Sequence, residues 1–257
     1  MKTNKSILLI LLAAFSNLYA EDLTDIQISA PVLNTQDLTN QAIEDINTKN
    51  AIDGGDLLRS INGISTIRRG GHGLDPVIRG QSDQRLNSSI DGAIVYGACS
   101  SKMDPASTYV NIENYDSITV IKGSQSVLYG AGGPGGVVRY ERVTEPLSQA
   151  NAYKFKIGQT FDSNAEAKTT IGDFTLGLGQ AYFRINGSYS EAGNYETGTG
   201  LKPLTEYETS NYAAIIGKRL DDGSKLEFTY TNNSQENIGF AGLPMDIVYS
   251  YTDIYNL

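Results

Sequence analysis

The chain has 257 residues, a net charge of −9, 27 glycines, 16 tyrosines, no tryptophan and one cysteine. That acidic balance argues against nucleic acid as a partner, because a phosphate backbone calls for a basic face. The single cysteine, Cys99, excludes an intramolecular disulfide, and no stretch matches the roughly 20 apolar residues of a membrane-spanning helix.

The first element is a leader. Lys2 and Lys5 precede an apolar run from Ile7 to Phe15, and Ala20 offers a small residue before Glu21 and Asp22. The run is too short to span a bilayer, so residues 1–20 read as a removable secretory signal. A polar arm, residues 21–38, follows. It contains a short alternating peptide, Asp25, Ile26, Gln27, Ile28, Ser29 and Ala30, which on its own reads as a linker or an isolated edge strand.

Residues 39–145 are mixed and dense in turns. Ala51 to Ile61 has the spacing of a short helix, with Leu57, Leu58 and Ile61 on one face. Val77-Ile78, Ser89 to Val95, Ser117 to Lys122 and Val137 to Tyr140 read as short strands between Gly, Asp and Pro. The pattern predicts an α+β domain of about a hundred residues, enough to bury a core.

From residue 150 to 257 the period is two. Tyr153, Phe155, Ile157 and Phe161 alternate with polar neighbours, as do Ala181, Phe183, Ile185 and Tyr189, and Leu226, Phe228 and Tyr230. About five such segments, separated by polar turns, fit the first antiparallel strands of a transmembrane β-barrel. A soluble antiparallel sheet with one wet face has the same period; the secretory signal favours the barrel. Spanning barrels have at least about eight strands, and one wide enough for a plug has about 22. The expected barrel is therefore incomplete, as in a fragment, a truncated frame or one piece of a split gene.

Four motifs lie in order within residues 39–145. They are Asp56 to Ile64, Asp75-Pro-Val-Ile-Arg-Gly80, Ile90-Asp-Gly92, and the block Ile112 to Arg139 with its glycine-rich turn at 130–136. In this order and spacing they resemble the plug of TonB-dependent outer-membrane receptors. The glycines permit reversals at positive φ, and Val127-Leu-Tyr129 reads as a buried strand edge. For Arg79 and Arg139 two readings stand: pairing with carboxylates on a barrel wall, or ordinary surface pairs.

The resemblance implies a location in the outer membrane, contact with its lipid, and a periplasmic TonB-type energy transducer as partner. It makes Asp25 to Ala30 the TonB box, an added-strand site that tolerates loose sequence. It also implies that the loop after Ile90-Asp-Gly92 faces the ligand. That loop holds Cys99 and Met103, four apart. Thiolate and thioether are soft donors, which favour Cu(I) over hard cations, and on a helical turn both would share a face. The Cys-x-x-x-Met followed by Asp104-Pro105 resembles TonB-dependent copper receptors specifically. Met245 is the remaining methionine of the mature chain and a candidate third sulfur.

His72, the one histidine, stands in a glycine loop and reads as a solvated residue outside the site. No nucleophile–base pair, carboxylate dyad or nucleotide-binding motif is present, so catalysis and organic cofactors are not expected. The expected function is copper binding and energised import. The alternatives are a siderophore or other chelate receptor of the same family, and a non-transporting fragment.

Overall fold

A computed structural model describes residues 38–42 (backbone only), 51–123, 127–131, 133–144, 147, 152–243 and 245–257. The signal at 1–20 and the proposed TonB box at 25–30 lie outside these residues.

The first half forms the expected α+β domain. Helix α1, Gly54–Leu58, is shorter than the segment predicted. Two glycines open it, and Gly63 at φ 80° turns the chain away after it. The apolar face is nevertheless as spaced: Leu57, Leu58 and Ile61 are all buried. Strands β1 (Leu38–Ala42), β2 (Ile64–Arg68), β3 (Leu74–Ile78), β4 (Leu86–Ile90), β5 (Ala93–Ile94), β6 (Ser117–Lys122) and β7 (Gly136–Glu141) follow in chain order. Five of them make a sheet in the order β1-β6-β7-β4-β5, with β4 parallel to β7, and β2 pairs with β3 as a separate ribbon. The core lies over the main sheet, where Leu58, Ile78, Ile90, Ile118, Val138 and Tyr140 pack together. The glycine turn after β6 departs from expectation. Val127–Tyr129 is a 3-10 turn closed by Gly130 N–H donating to the Val127 carbonyl at 3.1 Å. Because the backbone bonds to itself there, it is no strand edge, and Val127 and Leu128 are exposed.

The second half is one antiparallel sheet of six strands among the described residues, where about five were expected. These are β8 (Tyr153–Asp162), β9 (Ala167–Leu178), β10 (Ala181–Ala192), β11 (Tyr207–Arg219), β12 (Lys225–Ile238) and β13 (Ile247–Asn256), each beside its chain neighbour. Strand β13 lies past the last segment with clear apolar alternation, because its inward positions are mixed in character.

The polarity of this sheet bears on the two readings of the period. The face against the first domain is buried and mostly polar, with Asn186 and Ser188 on β10, Thr209 and Asn211 on β11, and Thr231, Asn233 and Gln235 on β12, beside the apolar Tyr182, Ala213 and Ile215. The bare face carries Phe155, Ile185, Ile216, Phe228 and Tyr255. A sheet with one wet face would bury its apolar side; polar inside and apolar outside is the barrel arrangement.

The segment 108–116 of the first domain spans this polar face. Gln235 donates to the Thr108 carbonyl at 3.2 Å and Asn211 to the Tyr109 carbonyl at 3.1 Å. Asn114 donates to Ser188 at 3.0 Å and to Asn211 at 2.9 Å, while Asn186 donates to the Asn114 carbonyl at 3.0 Å. Two arginines fasten its end. Arg184 of β10 grips Asp116 at 2.6 Å and also pairs with Asp173 of β9. Arg142 pairs with Asp91, donates to the Asn114 carbonyl and to Thr231, and lies 4.1 Å over the Tyr115 ring. Arg139, by contrast, pairs with Glu141 on its own strand, which is the plain surface-pair reading.

Candidate functional site

The loop 96–105, after the β4–β5 hairpin, is held by one carboxylate. Asp104 is 3% exposed and accepts from the backbone N–H of Ala98 and Cys99, each at 2.9 Å, and from the Tyr109 hydroxyl at 2.7 Å. The tyrosine is held protonated, its pKa raised by burial and then by the bond to Asp104. Cys99 and Met103 are not on a helical turn. Lys102 N–H donates to the Cys99 carbonyl at 2.9 Å, and Lys102 sits at φ 59°, the left-handed region that stops a helix. The Lys102 ammonium then reaches Asp83 at 2.7 Å.

This turn still brings both sulfur residues to one place. Met103 is 7% exposed and packs with Tyr207, Ile238 and Phe240, which stand at the start of β11 and the end of β12. Cys99 is half-buried against the same patch and lines a cavity of 480 Å³. Met245 is not brought in. Its neighbours Leu243 and Ile247 pack on the patch, and Asp246 accepts from Phe240 N–H at 3.1 Å, but Met245 itself is 49% exposed. Removing the staple should loosen the sulfur pair. Asp104→Ala leaves two backbone donors and a buried hydroxyl without their acceptor, at roughly 1–3 kcal/mol each. Faster amide hydrogen exchange at Ala98 and Cys99 is the expected readout.

His72 departs from expectation. It is 4% exposed, with its ring 5.2 Å from that of Tyr207, and its Nδ1 has no hydrogen-bond partner. Burial pushes the imidazole below its usual range, and the Asp53 carboxylate partly opposes this. The glycines beside it explain the burial. A Cβ on Gly70 would lie 2.4 Å from the Gly239 carbonyl oxygen, and one on Gly71 would lie 1.9 Å from that of Thr205. Bare backbone lets residues 70–73 wedge between β11 and β12, an approach no local pattern reveals. Among the described residues no group of three or more His, Cys, Asp or Glu gathers as a metal cage. A metal held at this patch would need the thioether of Met103.

Residues 30–137 match the family model of the TonB-dependent Receptor Plug Domain. This stretch of the chain is similar to the plug of the TonB-dependent receptors. TonB-dependent receptors as a family are outer-membrane proteins that work with a TonB-type energy transducer. A solved structure titled a copper transporter, OprC, aligns at 29% identity with a TM-score of 0.78, covering 84% of this chain and 33% of that one. The hemophore receptor HasR of Serratia marcescens aligns at 20% identity with a TM-score of 0.67, covering 77% of this chain and 31% of that one, and shares the fold. The hemin receptor of Yersinia pestis is 27% identical over 190 residues, covering 70% of this chain and 27% of the relative. The chain thus spans about a quarter to a third of the length of the proteins it matches.

Proposed function

We propose that this chain is the plug and first wall strands of a receptor that captures copper and imports it across the outer membrane. In this reading residues 1–20 are a signal, 21–38 the arm with its TonB box at Asp25 to Ala30, 39–145 the plug, and 150–257 wall strands that insert in lipid. One observation carries the ligand assignment. The turn stapled by Asp104 puts Cys99 and Met103 against one buried patch at the plug–wall seam, and Cys99 also faces a cavity. A thiolate and a thioether side by side suit Cu(I), the soft ion, over Fe(III), Mg(II) or Ca(II). The cavity supplies access to the thiol. Met245, one residue from the Asp246 contact, reaches the patch by a loop movement once an ion is present. The similarity to a structure titled a copper transporter supports the same assignment.

Competition titration of the purified chain with Cu(I), beside Cys99→Ser, tests this reading. Outer-shell changes at metal sites already cost about 10–100-fold in affinity, so losing the thiolate is expected to cost at least about 100-fold. Equal affinity would remove copper from consideration. The similarity to hemin receptors favours a second reading, in which the ligand is an organic iron chelate and the sulfurs only pack. Hemin that binds equally to both variants, with no tight Cu(I) site in either, would establish that alternative.

A further inference from the structure

Loop 68–73 is fastened to the wall by its backbone, and the chain's one histidine sits at the seam. Gly70 and Gly71 press on the carbonyl oxygens of Gly239 and Thr205, where an added Cβ would lie at 2.4 Å and 1.9 Å. His72 follows, 4% exposed, with its ring 5.2 Å from that of Tyr207 on β11. Gly73 and Leu74 then donate to Asp53 at 2.9 Å each. The backbone is held on both sides of the imidazole, so the ring leaves the seam only if the loop does.

The seam accommodates a neutral ring. Nδ1 has no hydrogen-bond partner. Adding a proton to a neutral imidazole puts N–H on both nitrogens, so protonation would bury both a charge and an Nδ1–H donor with no acceptor. The surrounding groups do little to compensate. Asp53, at the head of α1, favours the charged ring through its field, but its oxygens already accept from Asp56, Gly73 and Leu74 N–H. Tyr207 on β11 and Tyr140 on β7, which stands near Asp53, carry no charge. Asp56 of α1, Asp162 of β8 and Arg68 are the further charges that act on Tyr207. Within the loop, Arg68 donates to the Gly70 carbonyl at 3.2 Å and Arg69 pairs with Asp75 at 3.4 Å. Desolvation is the largest influence on the imidazole and disfavours its charged form.

We propose that His72 is an acid-sensitive latch: its neutral ring lets loop 68–73 dock on the wall at β11 and β12, and its protonation releases the loop. Release carries the charge into water. It also withdraws Gly73 from loop 96–105, where its added Cβ would lie 3.4 Å from the Met103 carbonyl oxygen. The undocked ring takes up a proton near the ordinary value of about 6.5 and the docked ring only at lower pH. Docking is therefore complete above about pH 6.5, and it weakens as pH falls below that value by up to about tenfold per pH unit. The latch does not depend on which ligand the receptor carries.

The test is amide hydrogen exchange of the purified 257-residue chain, prepared without a histidine tag, between about pH 8 and about pH 5, beside His72→Phe. Rates are divided by the intrinsic rate at each pH. His72→Phe keeps a ring on Tyr207 and removes the titrating group. Opening of residues 68–74 in the wild type should rise by up to about tenfold per pH unit below about pH 6.5, while His72→Phe stays flat. The same acid response in both proteins would assign the effect to carboxylates such as Asp53 and overturn the proposal, as would a flat wild-type profile. Because His72 is the only histidine in the chain, its imidazole NMR signal is unambiguous, and its titration midpoint should lie below about 6.5. A midpoint at or above that value overturns the latch from the wild type alone, even if His72→Phe fails to fold.

Discussion

Asp53→Ala is expected to destabilise the plug by at least about 3 kcal/mol. The residue is 0% exposed and accepts three backbone N–H groups: Asp56 at 2.8 Å, and Gly73 and Leu74 at 2.9 Å each. The first bond caps α1, and a lost cap costs about 1 kcal/mol. The other two join α1 to the start of β3 across some twenty residues of chain. Removing their acceptor strands two buried donors, at roughly 1–3 kcal/mol each. Asp53→Asn retains a side-chain oxygen and should lose much less. Urea unfolding followed by tyrosine near-UV circular dichroism reads both variants. Equal midpoints for Asp53→Ala and wild type would show that water replaces the carboxylate and that α1 is held by packing alone. The consequence reaches the candidate site, because Gly73 follows His72 and abuts the Met103 loop. A plug without Asp53 should also hold loops 68–73 and 96–105 less firmly.

How much of this was legible in the sequence depends on whether the cause was local. Strands β3 to β7 were in part, since their turns are written in glycine, aspartate and proline, whereas β1 and β2 were not read as strands and the Asp91-Gly92 turn splits the segment Ser89 to Val95 between β4 and β5. Cys99 and Met103 stand out in the sequence because sulfur is scarce here, one Cys and three Met in 257 residues. Their geometry was not legible: the spacing suggested a helical turn, whereas Lys102 at φ 59° and the Asp104 staple make a tight loop. The polar seam was half visible. Arg184 shares its strand parity with Asn186 and Ser188, so a strict reading of β10 would have set it facing the plug. Arg142 carried no such signal, because it follows β7 outside any alternating run. His72 was the clearest miss. Its burial is imposed by residues 205–207 and 239–240, far along the chain, and only the flanking glycines hint that something comes close.

That close approach yields the second large expected effect. Gly71→Ala should undock loop 68–73 from the wall, at a cost of about 3 kcal/mol, the upper end of ordinary overpacking penalties. The added Cβ would lie 1.9 Å from the Thr205 carbonyl oxygen and 3.0 Å from its carbon. Both are backbone atoms of the segment entering β11, so no side-chain rotation relieves the clash. The plug loop or the wall must shift to make room. Gly172→Ala is the control, since its Cβ meets nothing within 4 Å, and it should stay within about 0.5 kcal/mol of wild type. Trypsin provides the readout, because Arg69 is held against Asp75 at 3.4 Å in the docked loop. Cleavage of a locally opened segment tracks its population when reclosure is fast. A shift of about 3 kcal/mol corresponds to a rise on the order of 100-fold in cleavage after Arg69. If Gly71→Ala and Gly172→Ala are cut at the same rate, the loop is not clamped by the wall. His72 would then have no enforced place at the sulfur patch. If Gly71→Ala alone is cut faster, the bare glycine backbone is what presses the plug's buried histidine onto Tyr207.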